Sequence, residues 1–500
     1  MYKHLAKSNS RLPEMGVGIT YSPELEPLLE QRPELFPVLE IEPQTMWIET
    51  GQAPRRYRTL EKVFERLAGL PGKKLVHSVG IPVGGTVRPD RGQLELLRQT
   101  INRLGSPWMS EHLSFNATPE FHTGFFLPPL QTLEGVETAV RSIGDLQTAL
   151  PVPIAVETGV NYLRPRPGEM EDGEFVARVI ETANCGLLLD LHNLWANQLN
   201  GRQSLEAYLS RLPLDRVWEI HLAGGMKLGG FWLDAHSGEI PAPLFELAKR
   251  VIPTLPNLKA IIFEIFPSFI PVVGLDLVRE QIERLHELWE LRKPGRPSQE
   301  ISYPVPKTNG GAIGGTAVSP SRWEWLLGSL VIGRSLPDEI ARELTADPGV
   351  QIINRLIQEF RASMIVSAIR LTSRLMMLAI GPDIFRAILA DFWSKAPPHQ
   401  FSTTEVEAFA EYLRSLDLQL PQLLKVLEFE RAVIATLIDG QPRLVRFDID
   451  PFPLLRALAE GHLPDVPSQP GQYEIEIAPD GPVAVSGVDL DSTRSTLPFH

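Results

Sequence analysis

The chain has 500 residues, 43% of them hydrophobic and 22% charged, with a formal net charge of −13 at pH 7 and one cysteine, Cys185. That balance supports a packed core and excludes wholesale disorder, and no run approaches the ~18 apolar residues a transmembrane helix needs. The acidity argues against electrostatic capture of nucleic acid, while a lone cysteine with no apolar signal run before Met15 predicts a cytoplasmic protein without an internal disulfide.

Short apolar or β-branched runs recur through the first half, at Gly16–Thr20, Val38–Glu42, Lys74–Ser78, Trp108–Leu113, Ile154–Thr158, Gly186–Leu191, Val217–Leu222 and Ala260–Ile265. Segments with helical periodicity lie between most of them, such as Leu94–Leu104, Leu133–Leu150 and Leu244–Val251. Eight alternating units over about 270 residues predict an α/β (β/α)8 TIM barrel in residues 1–292. An open doubly wound sheet is the alternative, and the glycine-rich fingerprint of that fold is missing. Residues 293–320 are rich in Pro, Gly and Ser and read as a linker. Residues 321–500 read as a mostly helical domain with a small β element at Arg443–Asp448 and Tyr473–Ile477, including one long helical stretch, Val350–Leu389, broken near Pro382. The alternating tail Tyr473–Asp491 could offer an edge to a peptide strand.

Metal-binding residue types close one predicted strand after another. His77 ends the third strand, Glu111 and His112 the fourth, and Glu157 the fifth. Asp190 ends the sixth, followed by His192 and Asn193; His221 ends the seventh, with Asp234 and His236 in its loop; Glu264 ends the eighth. In a (β/α)8 barrel these ends meet at one face, so the side chains are expected to converge in one pocket. Imidazoles and carboxylates together suit zinc, iron or manganese, and so many donors predict two or three ions. Cys185 sits just before an apolar run and reads as core rather than nucleophile.

The segments LVHSVGIPVGG, SEHLSF, IAVETGVNYL, CGLLLDLHNLWANQLNG, EIHLAGG, LDAHSGEIP and FEIFPSFIP resemble the multinuclear non-haem iron-dependent oxidative enzymes of the methanobactin biosynthesis protein B type. The resemblance runs from about Gly16 to Pro271. It implies a TIM barrel with two or three irons, mixed Fe(II) and Fe(III), that uses O2 to modify a ribosomally made precursor peptide at Cys, Asp, Asn or an aromatic residue. The metal ligands it implies are His77, His112, Glu157, Asp190, Asn193, His221, Asp234, His236 and Glu264, with His77, Glu157, Asp190, His221 and Glu264 closest to the chemistry. Gly225 stands where the family pattern has a second histidine, and Phe266 where it has an acid. From about Ser321 to Glu460 the helices resemble the partner protein of these enzymes, methanobactin biosynthesis protein C, which implies help with the peptide leader; a dimerisation or lid domain is the alternative. A zinc-dependent hydrolase or phosphodiesterase of the xylose isomerase-like barrels is the competing function.

Overall fold

The computed structural model describes residues 12–50, 56–293, 318–337, 339–466, 468–479 and 481–484. Linker residues 294–317 and the tail beyond Ala484 lie outside the described residues. The chain divides into two units, Met1–Met46 with Glu61–Asn354, and Trp47–Leu60 with Arg355–His500.

The first unit is a closed barrel. Its strands are β1 (Gly16–Thr20), β2 (Val38–Ile41), β3 (Lys73–Ser78), β4 (Met109–His112), β5 (Ile154–Glu157), β6 (Gly186–Asp190), β7 (Val217–Ala223) and β8 (Ala260–Glu264). Each pairs in parallel with its neighbours in chain order, and β8 returns to β1 through Gly16↔Ala260 and Ile19↔Phe263. Strands covered on both faces read as continuous apolar runs, and β6, β7 and β8 are buried from end to end.

Side chains alternate across a strand, and this alternation makes the site. Val38, Leu75, Trp108, Ala155, Leu188, Trp218, Ala260 and Ile262 pack together as an apolar floor. Two residues beyond Val38, Leu75, Trp108, Ala155, Leu188 and Ile262 come Glu40, His77, Ser110, Glu157, Asp190 and Glu264, while β7, whose register with β6 shifts, sets His221 three residues beyond Trp218. One periodicity therefore lays an apolar layer below and a layer of ligating groups above.

The barrel closes tightly where β1 meets β2. A Cβ on Gly18 would lie 2.1 Å from the Val38 carbonyl oxygen, so glycine is the residue that lets this strand pair form. Gly18→Ala is expected to cost about 2–3 kcal/mol by forcing β1 off β2, read as a lower midpoint in denaturant unfolding. An unchanged midpoint would mean that the strands slide without cost.

Three short hairpins have no counterpart in the sequence reading: Trp47–Glu49 with Tyr57–Thr59, Phe115–Ala117 with His122–Leu127, and Met226–Leu228 with Phe231–Leu233. The helix Pro320–Val331, beyond the linker, belongs to the barrel unit. Its Trp323 indole donates to the Pro128 carbonyl at 3.0 Å, and its Glu324 carboxylate accepts the Thr86 amide at 2.9 Å.

The second unit holds the helices Arg370–Ile380, Pro382–Lys395, Ser402–Ser415, Leu423–Asp439 and Pro451–Glu460 with the antiparallel sheet β9 (Arg443–Ile449), β10 (Pro470–Ala478) and β11 (Gly481–Ala484). Phe392, Phe409, Val426, Phe429, Val445 and Ile475 form its core. The long helical stretch is broken at Gly381, before Pro382, and also at Ile369, where Pro348–Ala368 and Arg370–Ile380 meet at a bend of 107°. The second break is made from a distance: Glu430 accepts the amides of Leu371 at 2.7 Å and Thr372 at 2.8 Å, so a carboxylate from another helix caps the new N-terminus. Among the described residues no single helix is long and apolar enough to cross a membrane.

Candidate metal centre

At the C-terminal mouth of the barrel the strand-end residues converge. His77 Nε2 lies 3.2 Å and His112 Nε2 2.9 Å from the same oxygen, Glu157 Oε2. The other oxygen of Glu157 is 3.7 Å from His221 Nδ1, which is itself 3.1 Å from Glu264 Oε1. Glu264 Oε2 is 3.5 Å from His236 Nε2, and His236 lies 2.8 Å from Asp234 Oδ1. Three overlapping donor groups result: His77, His112 and Glu157; Glu157, Asp190, His221 and Glu264; Asp190, Asp234 and His236.

Local structure aims each donor. Asp190 caps the helix Leu191–Leu199, its Oδ1 accepting the Asn193 amide at 2.9 Å, which leaves Oδ2 free for the pocket. Asn193 donates from Nδ2 to the Thr158 carbonyl at 3.2 Å, which turns Oδ1 the other way. His77 Nδ1 meets Ser110 Oγ at 2.9 Å, and His221 Nε2 meets Glu40 Oε2 at 3.1 Å, so both rings present their remaining nitrogen to the acids. His236 is held at φ 41°, a backbone region that side chains other than glycine seldom adopt. Phe126 stacks on His112 with centroids 4.2 Å apart, and Phe266 lies 4.6 Å from the His236 ring.

The donors fit a cation because their atoms face one another at short range without well-oriented hydrogen bonds. Glu157 Oε2, Asp190 Oδ2, Asn193 Oδ1, His221 Nδ1, Asp234 Oδ1, His236 Nε2 and Glu264 Oε2 are all buried and left unsatisfied in this way. A buried polar atom without a partner costs about 1–3 kcal/mol, and a metal ion would satisfy these atoms together. Nitrogen and oxygen donors without sulfur suit iron, manganese or zinc.

Without a cation the charges settle by moving protons. Burial would lower the His236 pKa, but the adjacent Asp234 and Glu264 carboxylates overcome this and raise it to about 10. Burial would likewise raise Asp234, and the facing His236 and His192 rings hold it well below the usual range. Asp190 is pushed well above that range by burial and by the charges of Asp234, Glu264 and Glu157. Burial would depress His221, yet Glu264 and Glu40 raise it, whereas burial and the other imidazoles depress His77. The His236 proton contributes stability that is complete below 6.5 and disappears as pH rises through about 10. Loading the metal-free protein with Zn(II) at pH 7 is therefore expected to release about one proton or more per ion, with apparent affinity rising with pH. Calorimetry in buffers of different ionisation enthalpy reads that release, and an enthalpy independent of buffer would contradict it.

Four further residues belong to this constellation. Glu42 groups with His77 and Glu264 and is raised to about 7, chiefly by burial and by Glu264. Glu40 and Glu219, both fully buried, lie behind His221. His192 takes the Trp232 indole N–H on Nε2 at 3.0 Å and turns Nδ1 to Asp234 Oδ1 at 3.2 Å. Its ring occupies the space above Gly225, where a Cβ would meet His192 Nε2 at 2.5 Å and Trp232 Nε1 at 2.3 Å. Glu111 turns away from the acids and ties the β3 loop down, accepting from Ser78 Oγ at 2.6 Å and the Ile81 amide at 2.9 Å. The signal for Glu40 and Glu42 was the period of two from Val38, and for Glu219 the same period counted back from His221. Cys185 is buried away from the donor groups, and burial lifts its thiol to about 12.

Known proteins share parts of this chain. A UPF0276 protein of Chromobacterium violaceum is 35% identical over 177 residues, covering 35% of this chain and 64% of its own length. A UPF0276 protein of Streptomyces avermitilis is 31% identical over 254 residues, covering 48% of this chain and 50% of its own length, so the chain spans less than two thirds of either relative. Among solved structures, endonuclease IV from Thermus thermophilus matches 56% of this chain and 99% of its own, at 16% identity and a TM-score of 0.33. The model of the family described as RiPP precursor modification enzyme MbnB/TglH/ChrH matches residues 16–273, just over half of the chain and every strand of the barrel. The chain belongs to this family of enzymes that modify precursors of ribosomally made peptides.

Proposed function

We propose that the chain is an O2-dependent multinuclear non-haem iron enzyme that oxidises a residue of a ribosomally made precursor peptide. The observation that carries this reading is the set of buried, unsatisfied donor atoms on Glu157, Asp190, Asn193, His221, Asp234, His236 and Glu264, converging at the mouth of a barrel whose family modifies such peptides. His77, His112 and Glu157 would hold one iron, Glu157, Asp190, His221 and Glu264 a second, and Asp190, Asn193, Asp234 and His236 a third where three are bound. Bound iron supplies the one-electron chemistry that O2 requires, which amino-acid side chains do not provide.

The chain's own residues would do the rest. Glu157, with one oxygen toward His77 and His112 and the other toward His221, joins neighbouring donor groups and keeps them at a fixed spacing. Phe126, stacked on His112, and Phe266, tilted against His236, shield two ligands from water and leave an apolar wall for the peptide. The second unit would hold the peptide leader, and its helices and small sheet offer the surface for that role.

Protein reconstituted anaerobically with Fe(II) should consume O2 only when its cognate peptide is added, with a matching mass change in the peptide. No peptide-dependent O2 uptake would sink the oxidase reading. Zinc-dependent cleavage of an abasic DNA duplex would replace it with a hydrolase.

A further inference from the structure

We infer that Glu40, backed by Glu219, is a positioning residue that fixes His221 and makes its donor group the tightest metal subsite of the centre. This rests on the metal reading above and goes beyond it, because it ranks the subsites and names a residue beneath them.

His221 is fully buried between two sets of acids. Its Nδ1 faces Glu264 at 3.1 Å and Glu157 at 3.7 Å; its Nε2 faces Glu40 at 3.1 Å and Glu219 at 3.8 Å. A neutral imidazole carries one proton. With Nδ1 committed to a cation that proton sits on Nε2, so Glu40 must be its acceptor, and the ring can neither flip nor tilt without losing that bond.

The backing of the three strand-end histidines is unequal. His77 leans on a neutral hydroxyl, Ser110. His112 Nδ1 lies 3.3 Å from Glu111, but that carboxylate already accepts from Ser78, Ile81 and the His112 amide, which spread its charge. Among the described residues Glu40 has only Thr20 as a further side-chain donor, at 3.0 Å, and Glu219 adds a second carboxylate whose Oε2 takes the Trp108 indole at 3.0 Å. His221 Nε2 therefore meets a stronger acceptor than the Ser110 hydroxyl behind His77, and one with fewer competing donors than Glu111 behind His112. A carboxyl acceptor on its Nε2–H fixes the His221 ring, raises its basicity as a ligand and favours the cation bound beside it.

The test uses the full chain loaded with Fe(II) under anaerobic conditions and stripped stepwise by a chelator of known affinity. Wild type should release its iron in at least two classes. Glu40→Leu should weaken the tightest class about 10–100-fold and leave the weaker class in place, while Glu40→Gln, which keeps the acceptor without the charge, should recover part of the loss. Mössbauer spectra should show the quadrupole doublet of one iron altered and the others kept, which a general loss of structure would not produce. An unchanged tight class in Glu40→Leu, or both classes weakened alike, overturns the inference. Should Glu40→Leu fail to fold, an unchanged tight class in Glu40→Gln overturns it equally. A wild type that takes up no iron overturns the metal reading itself, and the inference with it.

Discussion

Replacing Glu157 by alanine is expected to strip the centre of most of its metal while leaving the barrel folded. Glu157 contacts His77 and His112 through one oxygen and His221 through the other, so it joins the first of the three donor groups to the second, as Asp190 joins the second to the third. Its removal takes away the carboxylate that His77 and His112 share and leaves the His221 group one acid short. Metal content should fall to at most about one ion per chain, and turnover should drop about 10³-fold or more, because several kcal/mol of metal-derived stabilisation disappear. Glu157 lies at the rim of the barrel above its apolar floor, so the circular dichroism spectrum should be kept. Metal analysis with circular dichroism checks both parts; a variant that keeps its full metal complement would show that Glu157 is not a shared ligand.

The largest loss of stability is expected from Trp108→Ala. Trp108 is fully buried in the floor beneath the centre, lies edge-on to Trp218 at 6.5 Å, and donates its indole N–H to Glu219 at 3.0 Å. Emptying that volume costs about 3–5 kcal/mol, and leaving the Glu219 carboxylate without its donor adds about 1–3 kcal/mol. Trp108→Phe removes the donor and part of the ring volume, so it should cost clearly less than the alanine variant. Denaturant unfolding of the metal-free protein, followed by a probe in the barrel, separates the two. Equal costs for both variants would mean that packing contributes nothing beyond the hydrogen bond.

The barrel was legible because most of its parallel strands, covered on both faces, carry a short apolar run that leads to a polar residue at the mouth. Lys73–Ser78 and Gly186–Asp190 were each readable to within a residue from that pattern alone. The hairpins at Phe115–Ala117 and Met226–Leu228 were not, since three-residue strands carry too little periodicity to stand out. The break at Ile369 was hidden for a different reason. Nothing near it is a helix breaker, and the cap that makes it possible comes from Glu430.

The donor types were also readable, one strand end at a time. What the sequence does not carry is which donors share a neighbour. That Glu157 faces three histidines, or that His192 fills the space above Gly225 and turns toward Asp234, depends on barrel closure and loop packing. Nor does the donor set choose its chemistry, because imidazoles and carboxylates serve iron and zinc alike. The choice between oxidation and hydrolysis lies with the metal taken up and with the peptide.

The most direct measurement is therefore the metal content of protein purified from iron-supplemented cells, combined with Mössbauer spectra of the same sample. Two or three irons per chain, ferric and ferrous together, is the predicted result. Stoichiometric zinc without iron, or no bound metal after anaerobic reconstitution, would contradict it.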